Sequence, residues 1–235
     1  MIPFKDDNPT TSFPIVTIAL IIINIAMFFL QITGPQDGTG LSTQLSVIPV
    51  RFIPFDGTLA VNGVSEFTLN PLFTLITYAF LHGGIGHLAF NMLFLWIFGN
   101  NIEDALGKIR FILFYLICGV AAALLHIIMH LDSQALMLGA SGSVAGILGA
   151  YMLLYPHAHI HTLFWFIIFI RVIKVPAIFF IGFWFFMQIM NVTGGGKSTT
   201  AWYAHIGGFV AGIVLILLFK PKDKKKKRKL KVVYH

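Results

Sequence analysis

The chain has 235 residues, of which 57% are hydrophobic and only 11% charged, with mean hydropathy +0.85. A soluble domain carries about 25% charged residues, so half that share, concentrated outside long apolar runs, excludes an ordinary soluble domain and points to a polytopic membrane protein. The net charge of +7 is no argument for nucleic acid, because nine of the sixteen Lys and Arg lie between Lys220 and Lys231. The single Cys118, inside an apolar run, excludes a disulfide framework.

In chain order, residues 1–13 form a short N-terminal segment in which Lys5 stands beside Asp6 and Asp7. Pro14 to Ile32 is a first apolar span, broken only by Thr17, Asn24 and Gln31. No small-residue cleavage site follows it, so it reads as a retained span rather than a signal peptide. Residues 33 to 71 are rich in Gly, Pro, Asp, Asn and Thr and predict a long, non-spanning first loop. A second span is predicted over His87 to Ile102 and a third over Phe111 to Met129.

The fourth, Ser141 to Tyr155, is short. Its 15 residues cover about 22 Å against a hydrocarbon core of about 30 Å. One end must stop inside the bilayer, which is tolerated only against protein or a water-filled recess. That end carries Ser141.

Leu163 to Ile170 is apolar but only eight residues long before Arg171 and Lys174, and is read as interfacial. Span five is Pro176 to Val192 and span six Ala201 to Phe219, followed by the polybasic tail 220–235. The expected architecture is therefore an all-α membrane protein with a six-span core over residues 14–219. Six spans put Lys5, Lys108, Arg110, Arg171, Lys174 and the tail on one side, fourteen of sixteen basic residues, with only Arg51 and Lys197 opposite. Both termini are then cytoplasmic. The tail is expected to rest on anionic membrane lipid.

Ionisable groups inside spans are costly and call for a reason. The six-span orientation sets Ser141, His205 and the His87/Asn91 pair near the outer surface at one depth, His87 and Asn91 on a single helix face by their i, i+4 spacing. Small residues recur at Ala204, Gly208 and Gly212 in span six and at Gly142, Gly146 and Ala150 in span four. Such stripes let membrane helices pack backbone to backbone. If these faces meet, Ser141 and His205 come within hydrogen-bond reach, a nucleophile beside a general base. Of the nine carboxylates none falls in an outer half-span, and Asp132 is the only possible orienting group, so a Ser-His dyad is the simpler reading. His87, Asn91 and the Ser141 amide would supply oxyanion donors. His126 and Cys118 read as packing residues. His157, His159 and His161 alternate near an interface, with no carboxylate or thiol close in sequence to complete a metal site.

Three motifs together carry a resemblance: Gly139-Ala140-Ser141-Gly142 opening a helix, Ala204-His205-x-x-Gly208-x-x-x-Gly212, and His82-x4-His87-x3-Asn91 followed by Gly99-x3-Glu103. In that order, over roughly residues 71 to 215, the chain resembles the rhomboid intramembrane serine proteases. The resemblance implies Ser141 as nucleophile, His205 as base, His87 and Asn91 as oxyanion partners, and Gly139 and His82 among the substrate-binding residues. It implies cleavage of single-span membrane proteins near small residues, with span five and the following loop as a gate, in a bacterial cytoplasmic membrane with the site opening outward. No metal or organic cofactor is implied. Two departures are visible: Ala145 stands where the family often has an aromatic residue stacking on the histidine, and the Trp-Arg pair of some first loops is absent, with Arg51 nearest to that role. The alternatives are a catalytically silent rhomboid-like binder of client helices and a small transporter, the latter weakened by the absence of repeat symmetry.

Overall fold

The computed structural model describes residues 2–36, 39–53, 67, 69–166, 169–194 and 201–219, and of residues 165, 166, 169 and 170 the backbone alone. The polybasic tail and residues 195–200 lie outside the described residues. So do residues 54–66.

Apolar runs become helices where lipid offers the backbone no other hydrogen-bond partner. Helix α1 spans Ile15–Thr33, and the first loop contributes a short helix α2, Leu41–Leu45, and a 3₁₀ turn, Pro49–Phe52. Helix α3, Pro71–Thr77, starts on Pro71 behind an Asn70 cap whose side chain accepts the Leu72 amide. Helix α4, Ile85–Phe94, runs through a π-helical turn, Leu95–Gly99, into α5, Asn100–Leu106. Gly107, with φ of 81°, breaks the chain before α6, Lys108–Met129. Helix α7 is Ser141–Leu154, α8 is Ala177–Thr193 and α9 is Trp202–Phe219. Four of these stretches are long and apolar enough to cross a membrane: α1, the continuous Ile85–Leu106, α6 and α9. Helices α7, at 14 residues, and α8, at 17, are shorter.

The expectation of an all-α protein is corrected by a three-stranded antiparallel sheet. Strand β1 (Ile2–Asp6) pairs with β2 (His159–Phe166), and β2 pairs with β3 (Phe169–Pro176). The eight-residue apolar run read as an interfacial segment is thus mostly the tip of a hairpin, and the N-terminal segment is its third strand. Asp6 fastens the sheet to the bundle, since its Oδ2 accepts from Asn101 at 2.8 Å and from the Tyr151 hydroxyl. Burial, foremost, holds the Asp6 carboxyl above the usual carboxylate range. The neighbouring Asp7 contacts His159 at 3.1 Å. Partial burial alone would push its pKa up, but hydrogen bonds from the His159 backbone and ring outweigh this and lower it.

Two contacts set the position of everything else. In the first, α7 and α9 pack backbone to backbone: a Cβ at Gly208 would overlap the Gly142 carbonyl, one at Gly212 the Gly146 carbonyl, and one at Gly149 the Phe209 carbonyl. In the second, Glu103, 2% exposed, sits on the first turn of α1 and accepts the Val16 and Thr17 amides at 3.0 and 2.8 Å and the Thr17 hydroxyl at 2.8 Å. A carboxylate is favourable there because the amides of a first turn have no intrahelical acceptor. Asp104 beside it accepts from the Thr11 amide and from the hydroxyls of Thr11 and Ser12. Gly99, one turn before Glu103, faces Thr17 of α1 at ordinary contact distance.

Replacing Gly208 by Val forces α7 and α9 apart and is expected to lower stability by about 3 kcal/mol or more, since the obstruction is backbone and cannot rotate away; thermal unfolding in detergent measures this. Glu103→Ala strands three donors at a buried helix start and is expected to cost about 2–4 kcal/mol, read by the same melt.

Candidate functional site

The α7–α9 seam delivers its chemistry one residue off the glycine stripes. Ser141 precedes Gly142 at the first position of α7, and His205 follows Ala204 in the first turn of α9. With the stripes in contact, His205 Nε2 lies 2.9 Å from Ser141 Oγ, a normal hydrogen-bond distance. The Ser141 amide belongs to the first turn of α7, where amides have no intrahelical acceptor.

Ahead of the serine, Gly139 has φ of 130°, and its missing side chain is where the His87 ring sits: a Cβ there would come within 2.7 Å of His87 Cε1 and 2.9 Å of Nε2, and 3.7 Å from Ser141 Oγ. The Gly139 amide itself donates to Tyr78 O at 2.9 Å, so Gly139 acts here through the space it leaves rather than as a donor. His87 Nδ1 accepts the Gly83 amide at 3.3 Å. Asn91 is buried and spends one N–H on His87 O at 3.0 Å, one turn back. His82 is 1% exposed, packs edge-on against His87 with centroids 5.2 Å apart, and is held by its main chain, which exchanges two hydrogen bonds with the Gln31 side chain of α1 at 2.8 and 3.0 Å. His82 therefore braces His87 from behind and does not line the cavity.

These groups surround a cavity of about 960 Å³ whose walls include His87, Asn91, Ser141, Trp184, His205 and, from the end of α6, His126 and His130. The first loop is tied to its rim by paired backbone bonds between Val47 and Met137 and by Val50 N–H to Ser133 O. Arg51 stays in that loop, 3.8 Å over the Phe67 ring and bonded to Leu69 O at 2.7 Å.

Several neighbours were not foreseen from sequence. Gln188 of α8 places Oε1 2.8 Å from His205 Nδ1, while its Nε2 donates to Trp184 O at 2.8 Å. Trp184 lies over the His205 ring with centroids 5.8 Å apart at 38°, and Trp202 meets it edge-on at 5.8 Å and 80°. The i, i+4 spacing of Trp184 and Gln188 puts both on one side of α8, but spacing alone does not say which helix that side meets. His126, read as a packing residue, lines the cavity with its ring 4.5 Å from that of His130. Cys118 does pack, fully buried where Gly146 makes room for it. Asp132, the one carboxylate considered as an orienting group, does not contribute a wall of the cavity. Among the described residues no cluster of three or more His, Cys, Asp or Glu could hold a metal, although the fold brings Asp7 to His159 from the far end of the chain.

The Rhomboid domain matches residues 70–222, more than half of the chain and all of this cavity's helices. The chain is 32% identical over 215 residues to the rhomboid protease GluP of Bacillus subtilis, covering 89% of this chain and 34% of GluP. It is 29% identical over 228 residues to RHOMBOID-like protein 6, mitochondrial, of Arabidopsis thaliana, covering 88% of this chain and 70% of that one. Against Rhomboid protein 1, mitochondrial, of Saccharomyces cerevisiae it is 30% identical over 167 residues, 67% of this chain and 45% of the yeast protein. The chain thus spans about a third of the Bacillus relative's length and under half of the yeast one's. Motifs, seam and domain match agree: the chain is an integral membrane protein and belongs to the rhomboid family.

Proposed function

We propose that this chain is an intramembrane serine endopeptidase that cleaves single-span membrane proteins within or beside their transmembrane helix. The observation that carries the reading is the 2.9 Å contact between Ser141 Oγ and His205 Nε2 at the wall of a cavity that His87 and Asn91 also line. The printed name of the Bacillus relative, a rhomboid protease, supports it.

In the reaction His205 Nε2 takes the Ser141 proton as the oxygen attacks the scissile carbonyl, a nucleophile activated by an adjacent base. The carbonyl oxygen becomes an anion that needs fixed donors. The Ser141 amide is one, at the positive end of a helix. His87 is a second: its Nδ1 accepts the Gly83 amide, which leaves the proton on Nε2, beside the gap at Gly139 and on the Ser141 side. The remaining N–H of Asn91 is a third. His205 then hands its proton to the leaving amine, and water hydrolyses the acyl-enzyme with His205 again as base. No metal or organic cofactor takes part in these steps.

In this reading α7 and α8 complete six spans, α7 stopping short at Ser141 so that the cavity meets water from the outer side. Both termini are cytoplasmic, the membrane is a bacterial cytoplasmic membrane, and the tail beyond residue 219 rests on anionic lipid. The short α7 supports the recess: 14 residues reach only about 21 Å.

Fluorophosphonate labelling separates the protease from a silent binder of client helices. Wild-type protein is expected to be labelled at Ser141, with Ser141→Ala and His205→Ala both unlabelled, both inactive on a transmembrane substrate in proteoliposomes, and both folded by thermal melt. Cleavage by Ser141→Ala at the wild-type rate would end the proposal. Asn91→Ala removes one oxyanion donor and is expected to lower kcat by about 10²–10³, with labelling slowed in step.

A further inference from the structure

His205 has two ring nitrogens, and only one proton arrangement lets it act as a base. Nε2 must carry a lone pair toward Ser141, so Nδ1 must carry the hydrogen, and in a neutral imidazole the partner of the second nitrogen decides which tautomer is held. That partner is Gln188. An amide side chain has an accepting end and a donating end, and the Gln188 amide is oriented by its own surroundings: its Nε2 donates to Trp184 O at 2.8 Å, one turn back on α8. Its oxygen is therefore the atom facing His205 Nδ1, at 2.8 Å. An acceptor there selects the Nδ1–H tautomer. Both side chains are buried, His205 at 9% and Gln188 at 4% exposure, so water does not compete for the position.

The element that carries this acceptor matters as much as the bond. The start of α8 is tied to the chain leaving α7, by Ala177 N–H to Ala158 O at 2.8 Å and Ile178 N–H to Pro156 O at 3.0 Å. Further along, α8 is held by side chains: Phe185 stacks on Phe209 of α9 at 4.1 Å, Trp184 covers His205, and Gln188 bonds it. Most of the remaining surface of α8 is exposed apolar side chain.

We propose that Gln188 is a positioning residue that extends the pair into a Ser141–His205–Gln188 hydrogen-bonded chain, locking His205 in the tautomer that can deprotonate Ser141, and that because the lock sits on α8 the base is armed only while α8 is seated against α9. This rests on the protease reading for its consequence in turnover, but the tautomer lock stands without it.

Two measurements test it. Long-range proton–nitrogen correlation on protein labelled with ¹⁵N-histidine, in detergent micelles, reads the His205 tautomer directly, with His205→Ala assigning the signal. Wild type is expected to show Nδ1 protonated and Nε2 bare, and Gln188→Met a mixture of both. Gln188→Met does not alter the titratable surroundings of His205, which are His87 of α4, His126 of α6 and His130 just past its end. In proteoliposomes Gln188→Met is expected to lower kcat about ten- to a hundredfold, the weight of one buried hydrogen bond, with KM unchanged. Gln188→Glu, which keeps an accepting oxygen in either protonation state, is expected to recover most of it. A His205 ring protonated on Nε2 in wild type, or a Gln188→Met kcat equal to wild type, overturns the proposal. Wild-type protein that neither cleaves nor takes the fluorophosphonate label overturns the protease reading instead, and the wild-type tautomer, which needs no variant to fold, still decides the role of Gln188.

Discussion

The backbone-to-backbone contact of α7 and α9 is the constraint from which the site follows. Lipid tails are as apolar as leucine, so no hydrophobic force pulls membrane helices together, and the contact must come from dispersion and backbone proximity. Gly208 and Gly212 on α9, against the carbonyls of Gly142 and Gly146, and Gly149 on α7, against the Phe209 carbonyl, let main chain touch main chain. Because Ser141 adjoins one stripe and His205 the other, the separation of the two helices is also the separation of hydroxyl and imidazole. A single methyl group at Gly208 would enter both quantities. Packing and chemistry are not independent choices in this bundle.

At the other end of the bundle the charged groups are structural. Glu103 and Asp104 are the two acidic residues that interrupt an otherwise apolar stretch, and such residues are functional candidates by default. Here their oxygens are consumed by the start of α1 and the residues before it. Glu103 acts as a cap supplied by another helix, and Gly99 faces the same turn of α1. The Gly99-x3-Glu103 pattern is therefore a clamp on α1, and through Gln31 at the far end of α1 the clamp reaches the His82 main chain behind His87.

What could be read from the residues alone was whatever depends on periodicity along one element. The positions of the long helices, the small-residue stripes and the nearness of Ser141 to His205 all follow from spacing within a helix plus the assumption that like stripes meet. The sheet did not follow, because its third strand comes from the opposite end of the chain and His159 meets Asp7 across 152 residues. An eight-residue apolar run between histidines and basic residues has no length signature to separate a hairpin from any other interfacial segment. Gln188 was invisible for a related reason. A lone glutamine in an apolar helix has a face only once its neighbours are known, and a search confined to carboxylates as orienting groups passes over an amide that can accept equally well.

The substitution at Ala145 then has a physical account. A ring at that position would cover the histidine from the serine's own helix, fixed in the rigid seam. Ala145 is fully buried and offers only a methyl group, and the aromatic cover comes from Trp184 of α8 and Trp202 of α9 instead. Moving the cover from α7 to α8 changes what depends on what. In an arrangement with the ring on α7, the imidazole keeps its packing whatever α8 does. Here the tilted Trp184 ring and the Nδ1 acceptor share one element, since Trp184 and Gln188 sit one turn apart on α8 and the Gln188 side chain donates to Trp184 O. The seam holds Ser141 Oγ and His205 Nε2 within hydrogen-bond reach, and α8 brings the Gln188 oxygen to the other ring nitrogen.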